Sequence, residues 1–193
     1  NDPDEPDFYI NLTAVGFDGS TAERVDSLQL SPDDSVRDIQ PASGGKSIVV
    51  GHFTHIGGQL HNRIARLNAD GSVDGGFQGG ADGDIITAAI QADGKIIVGG
   101  IFTSVSSTNG THLRTNIARF NADGTVDTGW FPSVDGPVYS LAIEASGTLL
   151  VGGNFTTVNA ATLFSHICRL DLTNTGSVFG SFTPVFSAPI TKV

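Results

Sequence analysis

Apolar and polar residues alternate in three short segments of the chain. These segments are SVRDIQ (35–40), IITAAIQ (85–91) and VYSLAIE (138–144). Alternation with a period of two is typical of a β-strand. A Gly-containing turn follows each segment, and then an almost wholly apolar run: KSIVVGHFT (46–54), KIIVGGIFT (95–103) or TLLVGGNFT (148–156). The pattern predicts three hairpins whose second strand is covered on both faces.

Two further strands complete each unit. The third strand is RIARLN (63–68), NIARFN (116–121) or HICRLD (166–171), and a short fourth strand ends in an aromatic residue, Phe77, Trp130 or Phe182. The second strands end at Phe53, Phe102 and Phe155, which sets a period of about fifty residues. Four antiparallel strands at this period, with Gly-Gly in an inner strand and a closing aromatic residue, are typical of β-propeller blades.

The predicted fold is therefore all-β, a β-propeller-like array of four-stranded antiparallel blades, about three full blades plus a composite or partial one. The predicted boundaries are 1–7 (acidic linker or mature N-terminus), 8–35 (a half-blade with third and fourth strands), 36–84 (blade 1), 85–136 (blade 2), 137–189 (blade 3) and 190–193 (start of a further blade).

Half-blades at both ends raise the question of closure. Most propellers compose one blade from both chain ends, which removes exposed sheet edges. Here the closing blade lacks its second strand. Two explanations stay open: the sequence is a fragment of a longer propeller, or neighbouring copies supply the missing edge by strand addition. Head-to-tail addition of identical copies would grow into rings or filaments.

The blocks DGKIIVGG-FT and N-IARLNADGSVD--F closely resemble the delta-60 repeat family, bacterial β-propeller repeats of large secreted or surface-attached proteins. The resemblance covers residues 36–189, and it is strongest at 85–136 and weakest at 167–182, where the NADG turn is lost. It implies a propeller fold and an extracellular or cell-surface location. It implies no catalytic activity, because no catalytic residues are associated with the repeat.

Composition narrows the choice of partners. The chain has 193 residues and a formal net charge of −10, which leaves no electrostatic case for binding nucleic acid or anionic lipid. No apolar run approaches the roughly 18 residues of a membrane span. Cys168, the only cysteine, occupies the repeat position of Ala65 and Ala118 and is predicted to be a buried apolar residue.

The sequence NADGSVD (68–74), with a copy at 121–127, places oxygen ligands around a glycine as calcium loops do. The twelfth position of an EF-hand pattern, however, holds Gly79 or Pro132 instead of an acid. A hairpin turn, in which Asn and Asp bond to backbone amides, is the favoured interpretation.

The sequence gives little support for a metal-binding or catalytic site. His52, His55 and His61 share one loop, but no Cys or carboxylate lies at zinc-ligand spacing in that loop. No pair of carboxylates and no GxSxG motif stands out, so we expect no enzyme, no cofactor and no metal. Asn11 and Asn109 are candidate glycosylation sites because both begin an N-x-T sequon.

Arg66, Arg119 and Arg169 recur at one position of the third strand. Recurrence favours a structural role, with the guanidinium bonded to a neighbouring carbonyl or Asp.

The variable loops 55–62, 104–116 and 157–166 are the candidates for recognition. The favoured function is a non-enzymatic extracellular module for structure or protein interaction, including self-assembly by strand addition at its open ends. The alternative is an adhesive module that binds glycan or protein through its loops.

Overall fold

The computed structural model describes residues 31–160, 162–163, 166–173, 175–179 and 188–192. Among these residues there is no α-helix, and the only helical segment is a 3₁₀ turn at Ser43–Gly45. The strands are β1 (Val36–Pro41), β2 (Ser47–Gly51), β3 (His55–Ile56), β4 (Gln59–Leu60), β5 (Ile64–Leu67), β6 (Gly80–Ala81), β7 (Asp84–Ile90), β8 (Ile96–Ile101), β9 (Ser104–Ser107), β10 (Gly110–Leu113), β11 (Ile117–Phe120), β12 (Val138–Ile143), β13 (Thr148–Gly153), β14 (Thr157–Val158), β15 (Thr162–Leu163) and β16 (Ile167–Asp171).

Each blade is an antiparallel sheet with the second strand in the middle. The strand orders are β1-β2-β5, β7-β8-β11 and β12-β13-β16. The predicted fourth strand is shorter than expected: it is one bridge residue, Val73, Val126 or Val178. Asp and Gly residues follow the first two of these valines and turn the chain at once, with the amide of Gly76 bonded to the carboxylate of Asp74. Because the fourth strand is a single bridge residue, it covers only a small part of the third strand's outer edge in each blade.

A β-bulge lies at the same place in every first strand. The register shifts between Val36 and Asp38 in β1, and at the equivalent position in β7 and β12. Bulges bend a strand and increase its twist. The first strands of successive blades are neighbours, since β7 contacts both β1 and β12. Asp38 joins β1 to β7 by accepting a hydrogen bond of 2.9 Å from the Ala88 amide.

The segments between the second and third strands, predicted only as variable loops, form small hairpins: β3–β4, β9–β10 and β14–β15. The links between blades pair with them. Strand β6 pairs with β9, Val134 bridges Val158, and the Asp33 amide donates to the His55 carbonyl. We call this end of the blades the hairpin face. The opposite end, which holds turns 42–46 and 68–72 and their equivalents, is the turn face.

The hydrophobic core lies between blades. Ile48 of β2 packs in one cluster with Val98 of β8, and Ile97 of β8 packs in another with Val151 of β13. Successive residues of β8 thus face blades 1 and 3, which confirms that this second strand is covered on both faces. The approach is close: a Cβ on Gly99 would lie 2.4 Å from Cγ1 of Val138. Blade 3 therefore requires glycine at position 99, whereas blade 1 has Val50 at the equivalent position.

Candidate functional site

Arg66 stands at a junction between blades 1 and 2 on the turn face. Its Nε donates to Oδ2 of Asp74 at 2.9 Å, and Lys46 Nζ donates to the same oxygen at 2.7 Å. The Lys46 ammonium, with Arg66 and the Gly76 amide, overcomes burial and lowers the pKa of Asp74 to about 2. Arg66 also donates from Nη1 to the Ala122 carbonyl of blade 2. The arginine thus ties an acid of its own blade to the turn of the next.

Arg119 repeats this arrangement between blades 2 and 3. Nε donates to Asp127 at 2.9 Å, Lys95 donates to the same carboxylate at 3.0 Å, and Nη1 donates to the Leu172 carbonyl of blade 3 at 2.6 Å. Arg119 is more deeply buried than Arg66, with 4% of its surface exposed. We call each set of arginine, acid and next-blade carbonyl an interblade joint.

The third blade keeps the arginine and moves its acid. Phe179 stands where the other blades have Asp74 and Asp127, and Thr148 stands where they have lysine. Arg169 instead pairs with Glu144, through Nε at 2.6 Å and Nη2 at 2.7 Å, and Thr148 donates to the same carboxylate. Arg169 and then Thr148 lower the pKa of Glu144. Blade 3 therefore retains the ion pair, but its carboxylate lies at the end of the first strand instead of after the fourth-strand valine.

The closing aromatic residues belong to the same joints. Phe77 and Trp130 are fully buried, and the guanidinium carbons of Arg66 and Arg119 lie 5.0 Å from their ring centroids. Phe77 packs beneath the turn of blade 2, where a Cβ on Gly124 would lie 2.9 Å from the ring. Trp130 Nε1 donates to the Asp171 carbonyl at 2.9 Å. Phe53, Phe102 and Phe155 are buried at the ends of the second strands, and Phe182 lies outside the described residues.

A second recurring cluster was not predicted. On the hairpin face an Asp of each link binds a Thr 21 residues later: Asp33 with Thr54, Asp82 with Thr103 and Asp135 with Thr156. One carboxylate oxygen accepts the Thr hydroxyl, and the other accepts two successive backbone amides. Burial opposes ionisation of Asp82 and Asp135, yet these hydrogen bonds lower the pKa of each to about 2. We call these clusters the Asp–Thr clamps.

The NADG segments have the geometry of turns. Asp70 Oδ1 accepts bonds from the amide and hydroxyl of Ser72, at 2.9 and 2.6 Å, and Gly71 has φ of 83°. Asp123 and Thr125 repeat the same contacts. Asp74, which a calcium ion would need as a ligand, is already bonded to Lys46. These contacts favour the turn interpretation.

The three loop histidines have different surroundings. His52 Nδ1 lies 2.7 Å from Oδ2 of Asp84, whereas His55 Nδ1 lies 3.0 Å from Asp33. His61 is 3% exposed, and burial lowers its pKa. Within the described ranges, no group of three His, Cys, Asp or Glu side chains has the geometry to hold a metal ion.

Two clefts open on the turn face beside the joints. One of about 420 Å³ lies between blades 1 and 2 and is lined by residues including Lys46, Arg66 and Gln91. Its counterpart of about 530 Å³ lies between blades 2 and 3 and includes Arg119 and Glu144. Their basic side chains, Lys46, Arg66, Lys95 and Arg119, already bind carboxylates of the chain. The clefts are therefore openings between packed blades with internally paired charges.

Two single residues complete the comparison with the sequence. Cys168 is fully buried, as predicted, and burial raises the pKa of its thiol to about 12. Asn109 uses its amide nitrogen to donate to the Val126 carbonyl at 2.9 Å. Glycosylation of Asn109 would have to break that bond. Asn11, the other candidate, lies outside the described residues.

No helix in the part of the chain that the structure describes is long and apolar enough to cross a membrane.

Comparison with known proteins agrees with this architecture. Residues 45–77 and 91–129 match the model of a family described as "Domain of unknown function (DUF5122) beta-propeller". The matched segments carry the second and third strands and the NADG turns of blades 1 and 2. The predicted all-β, β-propeller fold is thereby confirmed. No curated protein matches the chain.

Proposed function

We propose that this chain is a non-enzymatic scaffold of an extracellular, surface-attached bacterial protein, and that it assembles by docking further blades onto its third blade. The observation that carries the proposal is the use of the recurring charged residues. Arg66 and Arg119 each bind an acid of their own blade and a carbonyl of the next. Side chains committed to such joints hold blades together and are not available to act on a substrate.

The third blade supports the assembly part of the proposal. Leu150 of β13 occupies the position of Ile48 and Ile97, which are buried against the following blade, but Leu150 itself is only partly buried. Ile143 and Phe179 of the same blade are 36% and 49% exposed. These side chains would be covered by one more blade, whether it belongs to the same chain or to another copy.

The start of such a blade has a place to pair. The Ile190 amide donates to the Gly153 carbonyl at 3.1 Å. Ile190 corresponds in sequence to Val138, the first residue of β12. A first strand that continued from this point would lie beside β13 as β12 lies beside β8. Support for the extracellular location comes from the resemblance of the repeats to those of secreted bacterial proteins.

The test is the native mass of the 193-residue chain, with Leu150→Glu as the disruptive variant. Ile101→Glu is the matched control, since Ile101 is 50% exposed and lies on the hairpin face instead. We expect assemblies larger than the 20.0 kDa monomer that Leu150→Glu reduces to monomers and Ile101→Glu leaves intact. Assemblies that both variants leave intact would contradict docking at the third blade.

A second candidate function is binding of glycan or protein by the variable loop 104–116 and the residues beside it. The observation that favours it is Phe131, which is 53% exposed with the Arg114 guanidinium carbon 6.0 Å from its ring centroid. An exposed ring beside a cation suits a sugar or a peptide side chain. Glycan-array binding that Phe131→Ala abolishes while the circular dichroism spectrum is unchanged would support this function. Absence of array binding would count against the glycan form.

A further inference from the structure

The hairpin of blade 2 ends in an open sheet edge. In the described part of the chain β10 pairs with β9 alone. The Asp82 amide bonds to the Ser104 carbonyl on one side of β9, and the Arg114 amide bonds to the Thr103 carbonyl on the other. Because hydrogen-bonding directions alternate along a strand, the N–H and C=O groups of Thr111 and Leu113 point away from β9. Strand β10 thus offers two outward-facing residues at the spacing that strand addition requires. Arg114 Nη1 donates to the Leu113 carbonyl at 2.7 Å, so this carbonyl accepts a second bond or releases the arginine when a strand is added.

This edge lacks the features that usually block edge-to-edge pairing. Strand β10 contains no Lys or Pro, and its register with β9 runs without a bulge from Gly110 to Leu113. Leu113 is 83% exposed, the largest exposed fraction among the large apolar side chains of the described residues. The equivalent strands β4 and β15 are two residues long, whereas β10 has four. Natural proteins protect such edges unless they are used.

Charge indicates what occupies the edge. The chain has a net charge of −10, yet the hairpin segment 104–116 contains no Asp or Glu and carries Arg114. Two copies that approach through this segment avoid the repulsion between acidic surfaces that other approaches would produce. The edge of β10 therefore carries no acid of its own that would repel the same edge of a second copy.

We propose that β10 pairs with β10 of a second copy, antiparallel about a two-fold axis that passes beside His112. In this register the backbone N–H and C=O of Thr111 bond to the C=O and N–H of Leu113 in the other copy. Leu113 of the first copy bonds to Thr111 of the second in the same way, so the edge is complementary to itself. Each Leu113 side chain packs beside the other copy's Thr111. The two three-stranded sheets β6-β9-β10 become one sheet of six strands.

The geometry also limits the assembly. An isologous contact uses the same surface on both copies and stops at two chains, in contrast to head-to-tail docking at blade 3. A four-residue edge buries less area than a standard protein interface, so we expect a Kd of the order of 10⁻⁴ M or weaker. The dimer is independent of the assembly proposed above, because it uses the hairpin face and not the third blade.

The first test is the weight-average mass of the chain by sedimentation equilibrium from about 10 µM to about 1 mM, with Leu113→Lys and Leu60→Lys. Leu60 is the equivalent leucine of β4 and is 64% exposed, so its variant carries the same change outside the proposed edge. We run all samples with Leu150→Glu added, which removes docking at the third blade. The mass should rise from 20.0 kDa toward twice that value, and only Leu113→Lys should abolish the rise.

Disulfide trapping tests the register. His112 faces His112 of the other copy in a non-hydrogen-bonded pair, with Cα atoms about 4.5 Å apart. That separation is within disulfide range, so oxidised His112→Cys should form a covalent dimer. Thr111→Cys is the control, since two Thr111 residues are displaced along the strands and should not crosslink. A mass that stays at 20.0 kDa, a dimer that survives Leu113→Lys, or equal crosslinking of both cysteine variants would overturn the proposal. So would a monomer whose β10 instead takes up a strand of a different protein.

Discussion

Replacing Arg119 by Ala should destabilise the fold far more than replacing Arg169. Arg119 is 4% exposed and joins Asp127 to the Leu172 carbonyl of blade 3, with its guanidinium carbon 5.0 Å from the ring centroid of Trp130. Arg169 binds Glu144 on its own blade, and both side chains are 28% exposed. The contrast separates a buried interblade joint from a partly exposed arginine–carboxylate pair within one blade.

The size of the effect follows from the groups that would lose a partner. Breaking a buried ion pair costs about 3–5 kcal/mol, and a cation–π contact adds about 0.5–1 kcal/mol. Lys95 stays bonded to Asp127 and keeps part of the charge balance. We therefore expect Arg119→Ala to lower the free energy of unfolding by about 3–5 kcal/mol. Solvent screens the Arg169–Glu144 pair, so Arg169→Ala should have a much smaller effect.

Urea unfolding followed by fluorescence measures the difference directly. Trp130 is the only tryptophan of the chain and lies beneath Arg119, so its emission reports on the joint. Circular dichroism of the same samples shows whether the sheets unfold together with the joint. Equal losses of stability for the two variants, or a loss below about 1 kcal/mol for Arg119→Ala, would show that Arg119 does not hold blades 2 and 3 together.

Three further predictions test other parts of the molecule. Asp82→Asn should lower stability at pH 7 by about 1 kcal/mol, the net size of an ordinary hydrogen bond, with Asp93→Asn as the control, because the Asp93 carboxylate accepts the Lys95 amide within its own turn and joins no link to a hairpin. The pKa of Asp82 is about 2 in the folded state and 3.8 in the reference state, so its stabilising effect is complete above pH 3.8 and is lost as the pH falls toward 2. If the urea midpoints of the wild-type chain and of Asp82→Asn were already equal above pH 3.8, the carboxylate would not stabilise the fold. His166 has φ of 69° and occupies the repeat position of Asn116, so His166→Asn should raise the thermal midpoint, because Asn adopts the left-handed region more readily than most other residues; a lower midpoint would count against it. Cys168 should react with a thiol reagent only after unfolding, because it is buried and its pKa is raised to about 12; rapid labelling of native protein would show otherwise.

The strand pattern was predictable because each strand of the blade carries its own apolar signature. Val98 and Ile97 of β8 pack against blades 1 and 3, and a wholly apolar second strand indicates such two-sided cover. The fourth strand was overestimated. An aromatic residue four positions after Val73 resembles a strand end, but Phe77 reaches its pocket through a turn, with its amide bonded to the Asp74 carbonyl.

The Asp–Thr clamps and the hairpins could not be inferred from hydrophobic periodicity, because both depend on polar groups brought together by the fold. Asp82 and Thr103 are 21 residues apart and belong to a link and a loop. A trace was nevertheless available in the sequence: Thr follows the recurring Phe in every unit, and an Asp stands 21 positions earlier each time. Recurring polar pairs at constant separation are thus worth examining in any repeat protein.

The position of the arginine's partner in blade 3, Glu144, also could not be predicted from the sequence alone. Sequence comparison between units shows that Asp127 has become Phe179 and that Gln91 has become Glu144. Only the pairing of the strands shows that these two changes compensate each other, since both positions border the same arginine site. The recurring arginine itself was visible, but its role in joining one blade to the next required the contact of Arg66 with Ala122.

Light scattering of the native 193-residue chain, with negative-stain imaging of the same sample, shows whether the third blade accepts a further blade. We expect rings or filaments that Leu150→Glu converts to smaller species. A monodisperse 20.0 kDa monomer at all concentrations would contradict this expectation.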